Sequence, residues 1–95
     1  MLLQHREYHL APGSTEAFVD AWRRAVVPLR ARFGFVVVSA WVSADGERFI
    51  WVVGHADDFE QAEASYYADP ARLTMDPDPS SMVLDARVGM VRPVV

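Results

Sequence analysis

The feature that most constrains the fold is a pair of strand-like runs, residues 35–44 and 47–56, joined by Asp45-Gly46. Asp-Gly between alternating apolar runs is a strong hairpin signal, because both residues tolerate the turn's backbone angles. The first run alternates Val36, Val38, Ala40 and Val42 against Phe35, Val37, Ser39, Trp41 and Ser43. The second alternates Ile50, Val52 and Gly54 against Phe49, Trp51, Val53 and His55. Both faces are largely apolar, so both must be covered.

The flanking segments supply part of that cover. Residues 2–10 read as a strand, with Leu2, Gln4, Arg6, Tyr8 and Leu10 on one face and Leu3, His5, Glu7 and His9 on the other. Residues 14–33 read as a helix, its apolar stripe formed by Phe18, Trp22, Ala25, Val26, Leu29 and Phe33. Pro28 should bend it by removing one backbone donor, and Gly34 should stop it. Residues 57–68 read as a second helix, with Asp57 and Glu60 as a capping box, and residues 71–75 as a further turn. A loop over 76–81 leads to a last strand, 82–91, whose Met82, Leu84, Ala86, Val88 and Met90 form an apolar face opposite Val83, Asp85, Arg87 and Gly89.

The order is β-α-β-β-α-β: an α+β fold of ferredoxin-like topology, with a four-stranded antiparallel sheet and both helices on one face. Residues 1–95 read as one domain, since 95 residues hold a single core. The sheet face without helices would expose too much apolar surface to water. A second copy of the chain, packed sheet to sheet, would bury it, which makes a homodimer the expected state.

Composition narrows the chemistry. The absence of cysteine removes disulfides, thiolate metal sites and a Cys nucleophile. The absence of lysine removes Schiff-base chemistry. A net charge of −4 argues against nucleic acid as a partner. Residues 1–12 carry His5, Arg6, Glu7 and His9, unlike the apolar core of a signal peptide, and no apolar run approaches the ~20 residues of a membrane helix. A cytoplasmic location and no membrane partner are expected.

Several segments in order carry a family resemblance: Arg6-x-Tyr8-x-Leu10-x-Pro12-Gly13, then Phe18 and Trp22, Pro28-Leu29-Arg30, Gly34-Phe35, Trp41, Phe49-x-Trp51, residues 65–70 (Ser-Tyr-Tyr-Ala-Asp-Pro) and Arg92-Pro93. Together they resemble the NIPSNAP family of the dimeric α/β-barrel superfamily, over nearly the whole chain. The resemblance implies a dimeric barrel with a cavity. It implies little about chemistry, since the superfamily spans cofactor-free monooxygenases, haem-degrading enzymes, lactone isomerases, polyketide cyclases and ligand binders. His5, His9 and residues 75–79 depart from the usual family pattern.

With the apolar faces of the last three strands set against the helices, the opposite faces line a barrel. That set holds His5, Glu7, His55, Asp85 and Arg87 as candidate catalytic residues. A His oriented by Glu7 or Asp85 would serve as a general base near neutral pH, and Arg87 would hold a carboxylate, enolate or phenolate oxygen. His9, Ser39, Trp41, Phe49 and Trp51 would contact a planar ligand, with Tyr66 reaching the pocket mouth. Each has a plainer reading: Asp85 and Arg87 as an ion pair, Glu7 paired with Arg87, Trp41 as interface core, each His as a satisfied or solvent-facing group. A metal is not expected, because His5 and His9 lie ~13 Å apart along a strand. The chain carries no phosphate loop or nucleophile triad, so no cofactor is expected. The residues then support a small dimeric enzyme acting on an aromatic or polyketide-like molecule as oxygenase, isomerase or cyclase. The alternative is a non-catalytic small-molecule-binding or regulatory module.

Overall fold

The computed structural model describes residues 1–95. Four strands, β1 (Leu2–Leu10), β2 (Phe35–Val42), β3 (Arg48–His55) and β4 (Val83–Val91), form one antiparallel sheet in the order β2-β3-β1-β4. Helix α1 runs over residues 15–32, α2 is Phe59–Ala68 and α3 is Pro70–Leu73. This is the ferredoxin-like βαββαβ fold. No helix is long and apolar enough to cross a membrane.

Helix α1 is not uniform. Its middle turn, Trp22–Val26, is π-helical, between α-helical stretches Thr15–Ala21 and Val27–Arg32. Pro28 offers no N–H to the carbonyl of Arg24 and would clash with it in a regular helix. Arg24 lies within the π turn, where the wider backbone separates the two groups. The expected bend therefore takes the form of one wide turn. Gly34 ends the helix at φ +87°, a left-handed position that suits glycine.

Local chemistry moves several boundaries. The hairpin tip spans residues 43–47: the Gly46 N–H donates to the Ser43 carbonyl at 2.8 Å, and Gly46 takes φ +76°. This is a type I turn closed by a left-handed glycine rather than a two-residue loop. Asp58, not Asp57, caps α2, its carboxylate accepting from the Gln61 N–H at 3.0 Å. Residues 79–82 form a short 3₁₀ turn capped by Asp78, so Met82 precedes the last strand.

Strand facing holds for β1 and β4 and is reversed for β3. Arg6 pairs with Trp51, Gln4 with Val53 and Tyr8 with Phe49. Phe49, Trp51, Val53 and His55 therefore face the helices, while Ile50 and Val52 face away. Alternation alone could not choose, because both rows of β3 are apolar. Volume chooses: Phe49 and Trp51 fill the space under α1, with ring centres 4.9 and 5.4 Å from Trp22. In β2 the register slips between Val37 and Ser39. Val38 is the extra residue of a bulge, so Phe35 and Val37 point to the helices while Ser39 and Trp41 point away.

The core holds Leu10, Phe18, Trp22, Val26, Leu29, Phe35, Phe49, Trp51, Val53, Phe59 and Tyr66. The helices stop short of the far part of β4. Leu84, Val88 and Met90 stay 62%, 48% and 53% exposed, against the expectation that this apolar row would pack under helices.

A cavity between the helices and the sheet

The row Phe18, Trp22, Val26 and Arg30 repeats every four residues along α1 and forms one wall of a cavity of about 330 Å³. Tyr8 and Arg6 of β1 and Trp51 of β3 form its floor, Tyr66 and Tyr67 of α2 one end, and Arg72, Ser80 and residues 83–86 its rim. Most of the lining is apolar or aromatic. The size sits at the low end of the ~300–1,000 Å³ typical of small-molecule sites.

Two buried arginines organise the polar end. Arg30 is 2% exposed. Its guanidinium lies over the rings of Tyr66, Phe35, Tyr67 and Trp51 at 4.2, 4.8, 5.4 and 5.7 Å. Arg6 meets Tyr8 and Trp51 in the same way. One carboxylate oxygen, Glu63 Oε1, accepts from Nη1 of both, at 3.3 Å from Arg6 and 3.4 Å from Arg30. Burial opposes the charge on Arg6, but the oxygens of Tyr8 and Tyr67 and the Glu63 carboxylate outweigh it and raise its pKa above the ordinary arginine value.

The tyrosine hydroxyls here are committed acceptors. Tyr67 Oη receives Nη2–H from Arg6 at 3.0 Å and from Arg30 at 3.2 Å. Tyr8 Oη receives Nε–H from Arg6 and the indole N–H of Trp51, the latter at 3.2 Å. A hydroxyl has two lone pairs and one proton. With both lone pairs occupied, each retains only its proton to offer. Burial raises the pKa of Tyr66, with Arg30 and Arg72 opposing only in part.

Of the residues singled out from sequence, Trp51 and Tyr66 line this cavity, and the backbone of Asp85 borders it. His5, Glu7, His9 and Arg87 lie on the other face of the sheet, where His5 is opposite Gly89, Glu7 opposite Arg87 and His9 opposite Asp85. The Asp85 side chain shares that face. Glu7 forms its ion pair with Arg48, at 3.3 Å, rather than with Arg87. Ser39 and Trp41 share the open face but sit on β2, two strands from β1. Phe49 is core. His55 is not near His5: it lies opposite Leu2, on the helix side. Its Nδ1 accepts the Asp57 N–H at 3.0 Å and its Nε2 meets the Phe33 carbonyl at 2.8 Å. Both ring nitrogens are thereby used: Nε2 holds the end of α1 and Nδ1 the loop that leads into α2. The barrel-facing set is thus divided by the reversal of β3 and the bulge in β2.

Arg30, Glu63 and Tyr67 are the residues that sequence reasoning underused. Arg30 is a charged residue near a helix end, yet it continues the four-residue row of Phe18, Trp22 and Val26. That phase is the signal that places it inside. No three metal-ligating side chains converge anywhere in the fold.

Sheet order, helix placement and this cavity define an α+β protein of the ferredoxin-like class. The sequence pattern of NIPSNAP matches residues 3–94, and the chain belongs to the NIPSNAP family. Solved structures agree on the fold. A NIPSNAP family protein from Agrobacterium tumefaciens superposes with a TM-score of 0.85 at 16% identity, covering 98% of this chain and 92% of its own. A NIPSNAP domain protein from Burkholderia xenovorans gives 0.81 at 15%, covering 99% and 95%. A protein from Nitrosomonas europaea, named provisionally an antibiotic biosynthesis monooxygenase, gives 0.73 at 17%, covering all of both chains. A search of curated proteins finds no significant sequence match.

Proposed function

We propose that the chain works as a homodimer, open sheet face to open sheet face, and that each protomer holds a small planar molecule in its helix–sheet cavity. The observation that carries this reading is the pair of hydroxyls, Tyr8 and Tyr67, whose lone pairs are consumed by guanidinium and indole donors. Each has only its proton left to offer, and both residues line an aromatic-walled space of ligand size.

The chemistry that such a site favours is enolisation. When an aromatic or polyketide-like substrate loses a proton next to a carbonyl or on a phenol, negative charge gathers on oxygen. Fixed donors in a water-poor cavity stabilise that charge more than they stabilise the neutral substrate. A single donor of this kind is worth ~3–4 kcal/mol elsewhere. Cofactor-free oxygenation, isomerisation and cyclisation all begin with this step. The monooxygenase name borne by the similar Nitrosomonas europaea structure supports oxygenation among them.

A second reading has its own observation. No histidine lines the cavity, and Glu63, its nearest helix carboxylate, is held by two arginines. With no free base in place, the chain would bind its molecule and release it unchanged. His5, Glu7, His9, Asp85 and Arg87 would then line the interior between paired sheets; in a dimer-dependent reaction there, a His, Glu7 or Asp85 would be the base and Arg87 would hold an anionic oxygen.

Native mass spectrometry of freshly purified protein tests the proposal. A dimer carrying a small excess mass that leaves on denaturation is expected. Its recovery chemically altered after incubation with oxygen marks an enzyme, and its recovery unchanged marks a binder. A monomer without excess mass contradicts both.

A further inference from the structure

The charge balance of the cavity defines its ligand more narrowly, an inference that rests on the cavity being the binding site. Arg6 and Arg30 share one carboxylate, and neither has another ion-pair partner. Arg72, the third arginine at the cavity, is paired with Asp78 at 3.3 Å. One positive charge is left over beside the cavity, on groups with side-chain exposures of 2% and 12%. The faces of Tyr66, Phe35 and Tyr67 offset part of its lost hydration. Of these three residues only Tyr67 also offers the guanidinium an acceptor, its Oη at 3.2 Å from Arg30 Nη2, and that oxygen is neutral.

Two buried donors are also unused. Arg30 Nε and Trp22 Nε1 have no partner, and both side chains line the cavity, at 2% and 7% exposure. Leaving buried donors unpaired is costly, so a fold tolerates them where a ligand supplies acceptors. Both sit on α1 around its π turn, a feature often found at functional sites. With Tyr8 and Tyr67 restricted to donation and Glu63 Oε1 already taken by both arginines, the arginine end is rich in donors.

We infer that the cavity takes a monoanion: a planar, largely apolar body carrying one carboxylate, enolate or phenolate and few donors of its own. Its anionic oxygen would sit at the Arg30 end, accepting from Arg30 Nε and Tyr67 Oη–H, with Trp22 Nε1 as a separate donor further along the same wall. The single charge would complete the set of two arginines and one glutamate, and a dianion would exceed it. The π turn would act as a positioning element, setting Trp22 two turns from Arg30 on the same wall.

Three probes of one shape test this on the full chain: 2-naphthoate, 2-naphthamide and 2-naphthylmethylammonium, each titrated against tryptophan fluorescence. Naphthoate is expected to bind at least about tenfold tighter than the amide, in line with a charge-assisted hydrogen bond, and the ammonium not at all. Equal binding of anion and amide overturns the inference and leaves the cavity reading standing. Failure of all three at millimolar concentration overturns both. Arg30→Met should bring the anion-to-amide ratio close to one while amide binding persists, which also reports a folded cavity. Trp22→Phe removes one donor together with part of the ring, and should weaken naphthoate about tenfold while the amide loses less. A ratio unchanged in both variants contradicts the assignment of the oxyanion subsite.

Discussion

Arg30 shows how a single charge becomes part of a core. It stands on the apolar wall of α1, enclosed by four rings and sharing Glu63 with Arg6. The arrangement predicts an asymmetry. Glu63→Gln leaves two guanidiniums facing each other without a carboxylate, whereas Arg30→Met leaves a one-to-one pair of Arg6 and Glu63. Breaking a fully buried pair costs ~3–5 kcal/mol. Glu63 retains 24% side-chain exposure, so about 2–3 kcal/mol is expected for Glu63→Gln by this comparison. Arg30→Met should stay within about 1 kcal/mol, since apolar replacement of a buried ion is often near neutral. Urea denaturation of both variants checks the order, and a larger loss for Arg30→Met would contradict the account of the cluster. His55 is a different residue-scale lesson. A histidine in an apolar strand invites a catalytic reading, but here both nitrogens bind backbone.

At the scale of elements, element order and most boundaries were legible because alternation, helical period and turn residues agree locally. Leu2–Leu10 was readable to its ends. Facing was legible in β4, where Asp85 and Arg87 mark the polar row; β1 has polar groups on both rows, Gln4 and Arg6 against His5, Glu7 and His9, and only Leu2, Tyr8 and Leu10 favoured the helix side. β3 has two apolar rows, and packing volume decided between them. The Val38 bulge then carried Ser39 and Trp41 away from Phe35. The candidate site was divided for these two reasons, and no periodic signal announces either.

The junction of α1 and β2 gives a sharp test. A Cβ at Gly34 would lie 2.8 Å from His55 Nε2, whereas at Gly46, which has a similar positive φ, it would meet nothing within 4 Å. Gly46→Ala should cost ~1–2 kcal/mol from backbone strain alone. Gly34→Ala should cost more, because His55 is held at both nitrogens and cannot yield. Thermal unfolding of the two variants checks this, and equal losses would contradict the clasp. The 3₁₀ turn before β4 gives a pH test. Burial would raise the pKa of Asp78, but its bonds to Ser80 and the Arg72 guanidinium prevail and hold it below the ordinary carboxylate value. Its folded pKa is thus below its unfolded one. The stabilisation is present at neutral pH and is lost as pH falls through the folded pKa. The Tm gap between the native chain and Asp78→Asn should therefore narrow on acidification from pH 7. A constant gap would contradict it.

For the whole molecule, the unanswered demand is the open face of the sheet. Trp41 is 55% exposed there, and Val36 and Val91 are 45% and 44% exposed. Burying such a surface against a second copy removes apolar area from water at ~25 cal/mol per Å². Trp41→Asp would place a charge in that interface and should convert a dimer to monomer in sedimentation velocity. A dimer of unchanged strength would place the contact elsewhere.

The central claim is that the small molecule binds between helices and sheet, not on the open face. The three tryptophans divide between those places: Trp22 and Trp51 line the cavity, and Trp41 lies on the open face. The most direct measurement is the three indole N–H resonances of ¹⁵N-labelled protein during titration with 2-naphthoate. The account predicts that the Trp22 and Trp51 signals move together and saturate while that of Trp41 stays in place. Movement of Trp41 with Trp22 and Trp51 unmoved would contradict it.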